Sequence, residues 1–495
     1  MRVESNAVPE PADTQVRDPR RWWILVVLCL SLLVLMIDGT VLNIAIPSLI
    51  RDLNATPADV QWILDAYILV FAGLLLTAGS LSDRFGRRRM LITGLAVFGA
   101  ASLLAVLADA PWQVIAARAA MGVGGSLLMP STLSILMTTF AEDERRKAMA
   151  AWSTVSMVGI VLGPTLGGLL LQHFWWGSVF LLNIPVAVIA IVAAVVLMPE
   201  TRGEQRPVDP VGVVLSIVAL TSAVYVIIQR EWNIPVIALA VLAGAGFGWW
   251  EHRSEHPMLP LGVFRNRDFT GTCLTLLLMV FGMGAVLLIL TQYLQFVLGY
   301  GPMRAGWALL PYAVAAAVFN GLGATLGKTV SNKTLIVAGL AVMAGAFAVL
   351  ANADSYPWVL ASMMIMGIGG GLAGPAAYSS ILNAIPVEHA GVGSAMNDTL
   401  QQVGQAISIA VIGSVLAGVY TAHMPADAPA AARESIGAAF HLGLVGPAKS
   451  AFTAAMSTGS WISVGFCLAA AALGLILLRG HRPTPAEEPE STPVA

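Results

Sequence analysis

The sequence predicts an all-α polytopic membrane protein: two pseudo-symmetric six-helix bundles, two extra helices between them, and both termini in the cytoplasm. Three observations predict it. The chain carries too little charge to cover a soluble surface, its apolar residues fall into fourteen runs of spanning length, and its two halves repeat one another at a fixed offset.

Composition comes first. Of 495 residues, 57% are hydrophobic and only 11% are charged, whereas soluble domains carry about 25% charged residues. With a mean hydropathy of +0.79, the chain must have lipid as its main solvent. A net charge of −2 leaves no basic surface for a nucleic-acid partner. Cys29, Cys273 and Cys467 all lie inside apolar runs, which reads as buried thiols rather than a disulfide framework. His173, His252, His256, His389 and His423 fall mainly in loops without metal-ligand spacing, so no metal site is expected. The polar stretch at residues 1–21 precedes a run too long for a signal peptide and is expected to be a cytoplasmic tail. Residues 481–495, rich in Pro and Glu, are expected to be a second one.

A spanning helix needs about 20 apolar residues. Runs of that kind occupy 22–47, 60–80, 90–108, 112–137, 148–171, 175–198, 211–229, 234–250, 270–297, 306–326, 334–351, 357–380, 391–419 and 456–478. They divide the chain into an N-terminal bundle (22–200), an inserted pair with its loops (201–268) and a C-terminal bundle (269–480) whose outer loop covers about 420–455. An even count puts both tails on one side, and the distribution of positive charge says which. With tails inside, the outer loops hold only Arg51, Arg230, Arg304, Arg433 and Lys449, and Arg118 falls within a run. All the other Lys and Arg residues fall on the inner side.

The halves align at an offset of 245 residues. Trp62 and Tyr67 map to Trp307 and Tyr312; Gly122, Gly124, Gly125 and Pro130 map to Gly367, Gly369, Gly370 and Pro375. Gly94, Gly159 and Gly168 map to Gly339, Gly404 and Gly413. Duplicated bundles related by an axis along the membrane normal are a common plan for secondary transporters, with the substrate site between them.

Four local patterns carry chemistry. The loop after the second run reads Gly79-Ser-Leu-Ser-Asp83-Arg84-Phe-Gly86-Arg87-Arg88-Arg89. Its glycines suit a tight turn, and Asp83 can meet a helix terminus or an Arg of a neighbouring bundle and so lock one conformation. The fourth run holds Arg118 before Gly122, Gly124 and Gly125; an Arg inside a span must find a carboxylate or water. The fifth run reads Gly159-Ile-Val-Leu-Gly163-Pro164-Thr-Leu-Gly167-Gly168, a flat helix face with a bend at its proline. The first run carries Asp38 and Asn43 in mid-span, supported by Trp62, Asp65 and Tyr67 in the second and by Trp175, Trp176, Phe180 and Asn183 in the sixth.

Together these patterns resemble the major facilitator superfamily, and within it the fourteen-helix drug:proton antiporters, over essentially the whole chain. Met121 departs from the resemblance, where many members carry Gln. The resemblance implies a proton-coupled exporter of antibiotics, dyes and lipophilic cations in a bacterial cytoplasmic membrane. It implies no cofactor beyond the proton gradient, and a monomer in the lipid bilayer. It also implies Arg118 as partner of the proton-carrying carboxylates.

The repeat marks which charges were placed singly. Asp38, Asp65 and Arg118 map to Met283, Leu310 and Met363, and Asp398 maps back to Ser153. Intramembrane charges outside the shared scaffold are functional candidates. Asp38 and Asp65 are therefore expected to carry protons, with Asp398 either a second proton site or a carboxylate for a cationic substrate. The loop residues Gly79, Asp83, Arg84, Gly86, Arg87 and Arg88 are expected to gate. Gly159, Gly163, Pro164, Gly167 and Gly168 are expected to form a structural hinge. Helix placement puts Tyr67, Trp152, Gln292, Tyr293, Gln295, Phe319, Asn320 and Tyr378 in a large apolar pocket.

The stretch Gly323-Ala-Thr-Leu-Gly327-Lys328-Thr329 lacks the first glycine of a phosphate loop and the strand before it. A nucleotide-driven pump is thereby disfavoured, and an enzyme has no catalytic cluster to stand on. Two other readings stay open: an importer of one nutrient, against which the fifth-run glycines weigh, and a sensor that has lost transport, against which the retained carboxylates weigh.

Overall fold

The computed structural model describes residues 19–202, 209–229, 233–254, 261–327, 329–383 and 390–479. Most of both expected tails, and Lys328, lie outside the described residues. The N-terminal half consists of α1 (Arg21–Asp52), α2 (Pro57–Phe85), α3 (Arg87–Val106), α4 (Pro111–Thr139), α5 (Glu142–His173), α6 (Ser178–Leu181) and α7 (Asn183–Leu197). Then come α8 (Pro210–Gln229) and α9 (Ile234–Arg253). The C-terminal half consists of α10 (Arg267–Met283), α11 (Val286–Gln292), α12 (Pro302–Leu326), α13 (Asn332–Ala351), α14 (Tyr356–Asn383), α15 (Ala390–His423), α16 (Ala430–Glu434), α17 (Ile436–His441) and α18 (Val445–Leu477). Short α6 and α7 together make one span, as do α10, α11 and the π-turn Tyr293–Val297 that follows them.

Helices begin where the sequence supplies caps. Before α2, Thr56 Oγ1 accepts from the Asp59 amide while Asp59 Oδ2 accepts from the Thr56 amide, and Pro57 fills the first position. Asn266 and Ser331 cap α10 and α13 more simply, their side-chain oxygens accepting from the Asp268 and Thr334 amides. Apolar side chains such as Val188, Val192, Leu242 and Leu468 stay exposed along the outer faces, as lipid-facing helices require. α9 is the extreme case, burying only Ala243 and Glu251 among its described side chains.

One expectation is not confirmed, and another changes. Among the described residues, thirteen helices are long and apolar enough to cross a membrane, not fourteen. The exception is α5, whose first six residues, Glu142 to Lys147, are all charged and whose remainder is rich in Ser, Thr, Gly and Pro. It is a 32-residue helix nevertheless. The outer loop is also shorter than 420–455. α15 runs on to His423, α18 starts at Val445, and α16 and α17 occupy part of what lies between. Pro447 and Lys449 interrupt the apolar run, yet both sit in the opening turns of α18, where proline is tolerated, and Ala448, Ala451 and Phe452 are buried there.

The repeat is visible in the packing. A side chain on Gly124 would meet Gly94 O at 2.8 Å, and one on Gly369 would meet Gly339 O at 2.6 Å. One on Gly122 would meet Tyr67 O at 2.6 Å, and one on Gly367 would meet Tyr312 O at 2.8 Å. Each half therefore seats its fourth span on its second and third by the same backbone contacts. Each half also has its own apolar core. α8 lies along the seam between the halves: Ile217 fills the space beside Gly73 of α2, Trp62 meets Tyr225, and Ser414 of α15 donates to Ile227 O at 2.9 Å, while α9 packs on α8.

The halves join at the face opposite the ends of the described chain. There α5 packs on α12, with Gly168 against Pro302 and Met303 and Gly306 against Pro164 and Thr165. α2 packs on α15, with Gln61 against Gly413 and Ser414. Gln295 donates to Ile44 O at 3.1 Å, and Gly437 of α17 abuts Ile50.

Candidate functional site

Inside the N-terminal bundle, five spans contribute to one polar network. Asp38 of α1 and Arg118 of α4 are both at most 2% exposed. Arg118 Nη1 donates to Asp38 Oδ2 at 2.6 Å, and its Nε donates to Ile63 O of α2 at 3.1 Å. Asn183, the first residue of α7, donates through Nδ2 to Asp38 Oδ1 at 2.9 Å and to Ser102 Oγ of α3 at 3.2 Å. Tyr67 lies under the guanidinium, 4.2 Å from ring centroid to Cζ, a favourable seat for a desolvated cation. Both charges are thus paired and hydrogen-bonded, the condition for burying them at all. Removing one partner of such a pair typically costs about 3–5 kcal/mol.

The symmetry-related position in the other half is apolar. Met283 and Met363 stand where Asp38 and Arg118 stand, and the counterpart of Tyr67, Tyr312, directs its hydroxyl at Met283 Sδ, 3.8 Å away. The ion pair is an addition to one half of a scaffold that folds without it in the other.

Asp65 of α2 is fully buried, and neither carboxyl oxygen has a hydrogen-bond partner among the described residues. The structure does not tie it to Arg118. Asp398 lies near the start of α15, where its Oδ1 accepts from Asn397 Nδ2 at 3.0 Å.

The α2–α3 loop is held within its own bundle. Arg87 donates through Nε and Nη2 to Asp83 Oδ1 at 2.9 and 2.8 Å. Glu200, just beyond α7, accepts from the Arg88 amide at 3.2 Å and lies 3.6 Å from Arg89 Nε. Gly86 has φ +112°, a backbone that demands glycine, and the Glu200 carboxylate lies against it. Gly79 faces Pro130, Arg88 Nη2 donates to Val195 O, and Arg84 is exposed over Phe85. Glu200 as the loop's acidic anchor was not apparent from the motif, which lies more than a hundred residues earlier.

The glycine face of α5 serves two neighbours. Gly159, Gly163 and Gly167 lie against Met36, Thr40 and Val41 of α1, on either side of Asp38 in sequence. Gly168 and the Pro164 carbonyl lie against α12 of the other half.

Two cavities open between helices. One, of ≈ 620 Å³, is walled by α10, α12, α14, α15 and the start of α13, and both Asn320 and Tyr378 line it. A smaller one, of ≈ 60 Å³, lies beneath α16 and α17 and includes Gln292 and Gln61. The remaining pocket candidates lie elsewhere. Tyr67 is under Arg118, Tyr293 is core, Gln295 bridges to α1, and Phe319 packs on Gly371. Trp152 is half-buried, and its Nε1 has no hydrogen-bond partner among the described residues.

Two pseudo-symmetric bundles of lipid-spanning helices are the plan of a secondary membrane transporter. The chain matches the Major Facilitator Superfamily over residues 28–409 and belongs to that family. It is 33% identical to the multidrug efflux pump LfrA of Mycolicibacterium smegmatis, over 94% of this chain and 98% of that one. It is 37% identical to the puromycin resistance protein pur8 of Streptomyces alboniger, over 85% and 86%. Its fold is shared with a bacterial homologue of the human lysosomal transporter Spinster in an inward-facing, occupied conformation. The TM-score there is 0.68 at 16% identity, over 94% and 98% of the two chains.

Proposed function

We propose that the chain is a proton-coupled exporter of small lipophilic drugs or antibiotics, acting as a monomer and a transporter, not an enzyme, in the bacterial cytoplasmic membrane. The observation that carries this reading is the Asp38–Arg118 pair, held by Asn183 in one half, with methionines in place of its two charges in the other. Full-length similarity to an efflux pump and a resistance protein supports the direction of transport and the kind of cargo.

The mechanism follows from electrostatics. As a carboxylate, Asp38 holds Arg118 and draws α1, α4 and α7 together. A proton taken up on Asp38 removes one charge of the pair, weakens the clamp and lets α1 shift along the glycine face of α5. Because that face also meets α12, the shift reaches the contact between the halves. Asp65, buried without a hydrogen-bond partner among the described residues, is the second candidate carboxyl for proton coupling. With α5 counted as the fourteenth span and the tails in the cytoplasm, the packed face is the outer one and the state is inward-open. Cysteine accessibility at the two ends of α5 tests that topology: labelling from opposite sides is expected, and labelling from one side would remove α5 from the spans.

The deciding experiment is efflux of two probes from energised cells, the cation ethidium and the neutral drug chloramphenicol, either of which suffices. Efflux that a protonophore stops, and that Asp38→Asn reduces at least 10-fold at unchanged membrane abundance (about 1.4 kcal/mol), is expected. Efflux unaffected by Asp38→Asn would overturn the role given to Asp38.

A further inference from the structure

We infer that the ≈ 620 Å³ cavity of the C-terminal half is the substrate site, and that it selects neutral, oxygen-bearing amphiphiles over cations. This rests on the exporter reading and gives it a substrate class. The volume suits a drug-sized ligand. The polar groups of the wall are amides and hydroxyls: Asn320, Asn332, Tyr378, Ser379, Asn397 and Gln401. Among the described residues that line it, none carries a charge.

Two of these amides are engaged: Asn332 donates to Ser379 Oγ at 3.4 Å, and Asn397 to Asp398 at 3.0 Å. Asn320 and Gln401, on α12 and α15, line the cavity without a hydrogen-bond partner among the described residues. Each offers both donors and an acceptor, which suits carbonyl and hydroxyl groups on a ligand. Leu276 and Met279 supply an apolar side, and Gly323, Ala324 and Gly374 keep the helix surfaces low.

A cation would fare poorly here. Desolvating it requires a carboxylate or an aromatic cage, and among the described residues the wall has one aromatic ring, Tyr378, and no carboxylate. Asp398, the nearest acid in sequence, is absent from the wall and accepts from Asn397 instead. The geometry therefore gives Asp398 no direct place against a substrate. It leaves the N-terminal half as the charged, proton-handling half and the C-terminal half as the uncharged, ligand-handling half.

The test uses the purified full-length chain, by equilibrium binding and by proton-driven uptake into inverted vesicles. The probes are chloramphenicol, a neutral amide diol, and methyl viologen, a permanent dication. Chloramphenicol is expected to bind and be transported. Asn320→Leu and Gln401→Leu should each weaken its binding about 5-fold, the loss of one neutral hydrogen bond, with proton dependence unchanged. Gln401→Glu should lose chloramphenicol and gain methyl viologen, a gain that misfolding cannot produce. Proton-driven uptake of methyl viologen without chloramphenicol would overturn the selectivity and leave the exporter reading standing. So would chloramphenicol binding that all three variants leave within 2-fold of wild type. Uptake of neither probe would count against the exporter reading and this inference together.

Discussion

At the scale of single residues, the central fact is a salt bridge that has no counterpart in its own repeat. Asp38 and Arg118 have paired inside lipid-spanning helices, where each alone is costly. Arg118→Ala should therefore lower folded abundance sharply, by the roughly 3–5 kcal/mol of an orphaned buried charge. The double variant Asp38→Met/Arg118→Met, which copies the other half, should restore abundance while staying inactive, because replacing both charges can be near neutral. Quantifying detergent-extracted protein by fluorescence-detected size exclusion checks both; a double variant no more abundant than Arg118→Ala would deny that the pair is dispensable for folding. The pair was legible in the sequence because charges within apolar runs are rare and the repeat singled these out. The other members of the network were less so. In the sequence Asn183 is one of several residues that could support the first run, and Ser102 is one serine among many; the approach of α3 and α7 to α1 gives each its role. Tyr67 was assigned to the substrate pocket because an aromatic residue in a span reads equally as ligand contact or as packing, and the structure puts it under a guanidinium.

At the scale of elements, the glycines divide into those that fix packing and those that do not. Gly124 is seated on Gly94 O and Phe98 N, closer than any side chain permits, whereas Gly345 has nothing within 4 Å of where a side chain would begin. Gly124→Val should lower the melting temperature of the purified protein by several degrees, as overpacking costs about 1–3 kcal/mol. Gly345→Ala should leave it unchanged or raise it slightly, since alanine is favoured by roughly 0.5–1 kcal/mol within a helix. Equal effects from the two would mean that the α3–α4 contact is not set by these backbones. Element ends agree with the apolar runs at α8, α12 and α13, which end at Gln229, Leu326 and Ala351, whereas α1 and α2 run on past Pro47 and Ser80 to Asp52 and Phe85. The ends were read poorly at α5 and α18, because helix and apolar run are different quantities. Charged and small residues continue a helix without continuing its hydropathy. The cap made by α16 and α17 was invisible because helices of five and six residues leave no periodic pattern.

At the scale of the whole molecule, the arrangement is a hinge with one edge closed. Contacts between the halves gather where α5 meets α12 and α2 meets α15, while the larger cavity lies among C-terminal spans nearer the chain's own ends. If transport requires the closed edge to part, then fastening it must stop transport without disturbing either site. Gln61 and Ser414 face each other across that edge, with side-chain oxygens 3.4 Å apart. Neither side chain takes part in the hydrogen bonds of the Asp38 network or lines the wall of the larger cavity. In a background with Cys29, Cys273 and Cys467 replaced, Gln61→Cys/Ser414→Cys should be joined by a short bifunctional thiol reagent. Joining should abolish efflux, cleavage of the link should restore it, and chloramphenicol binding from the open side should survive throughout. The single-cysteine variants treated with the same reagent should retain efflux, which separates fastening from mere modification. Unimpaired efflux in the joined protein would mean that the edge never opens, and the two-state hinge would have to be replaced by movement of helices within one half.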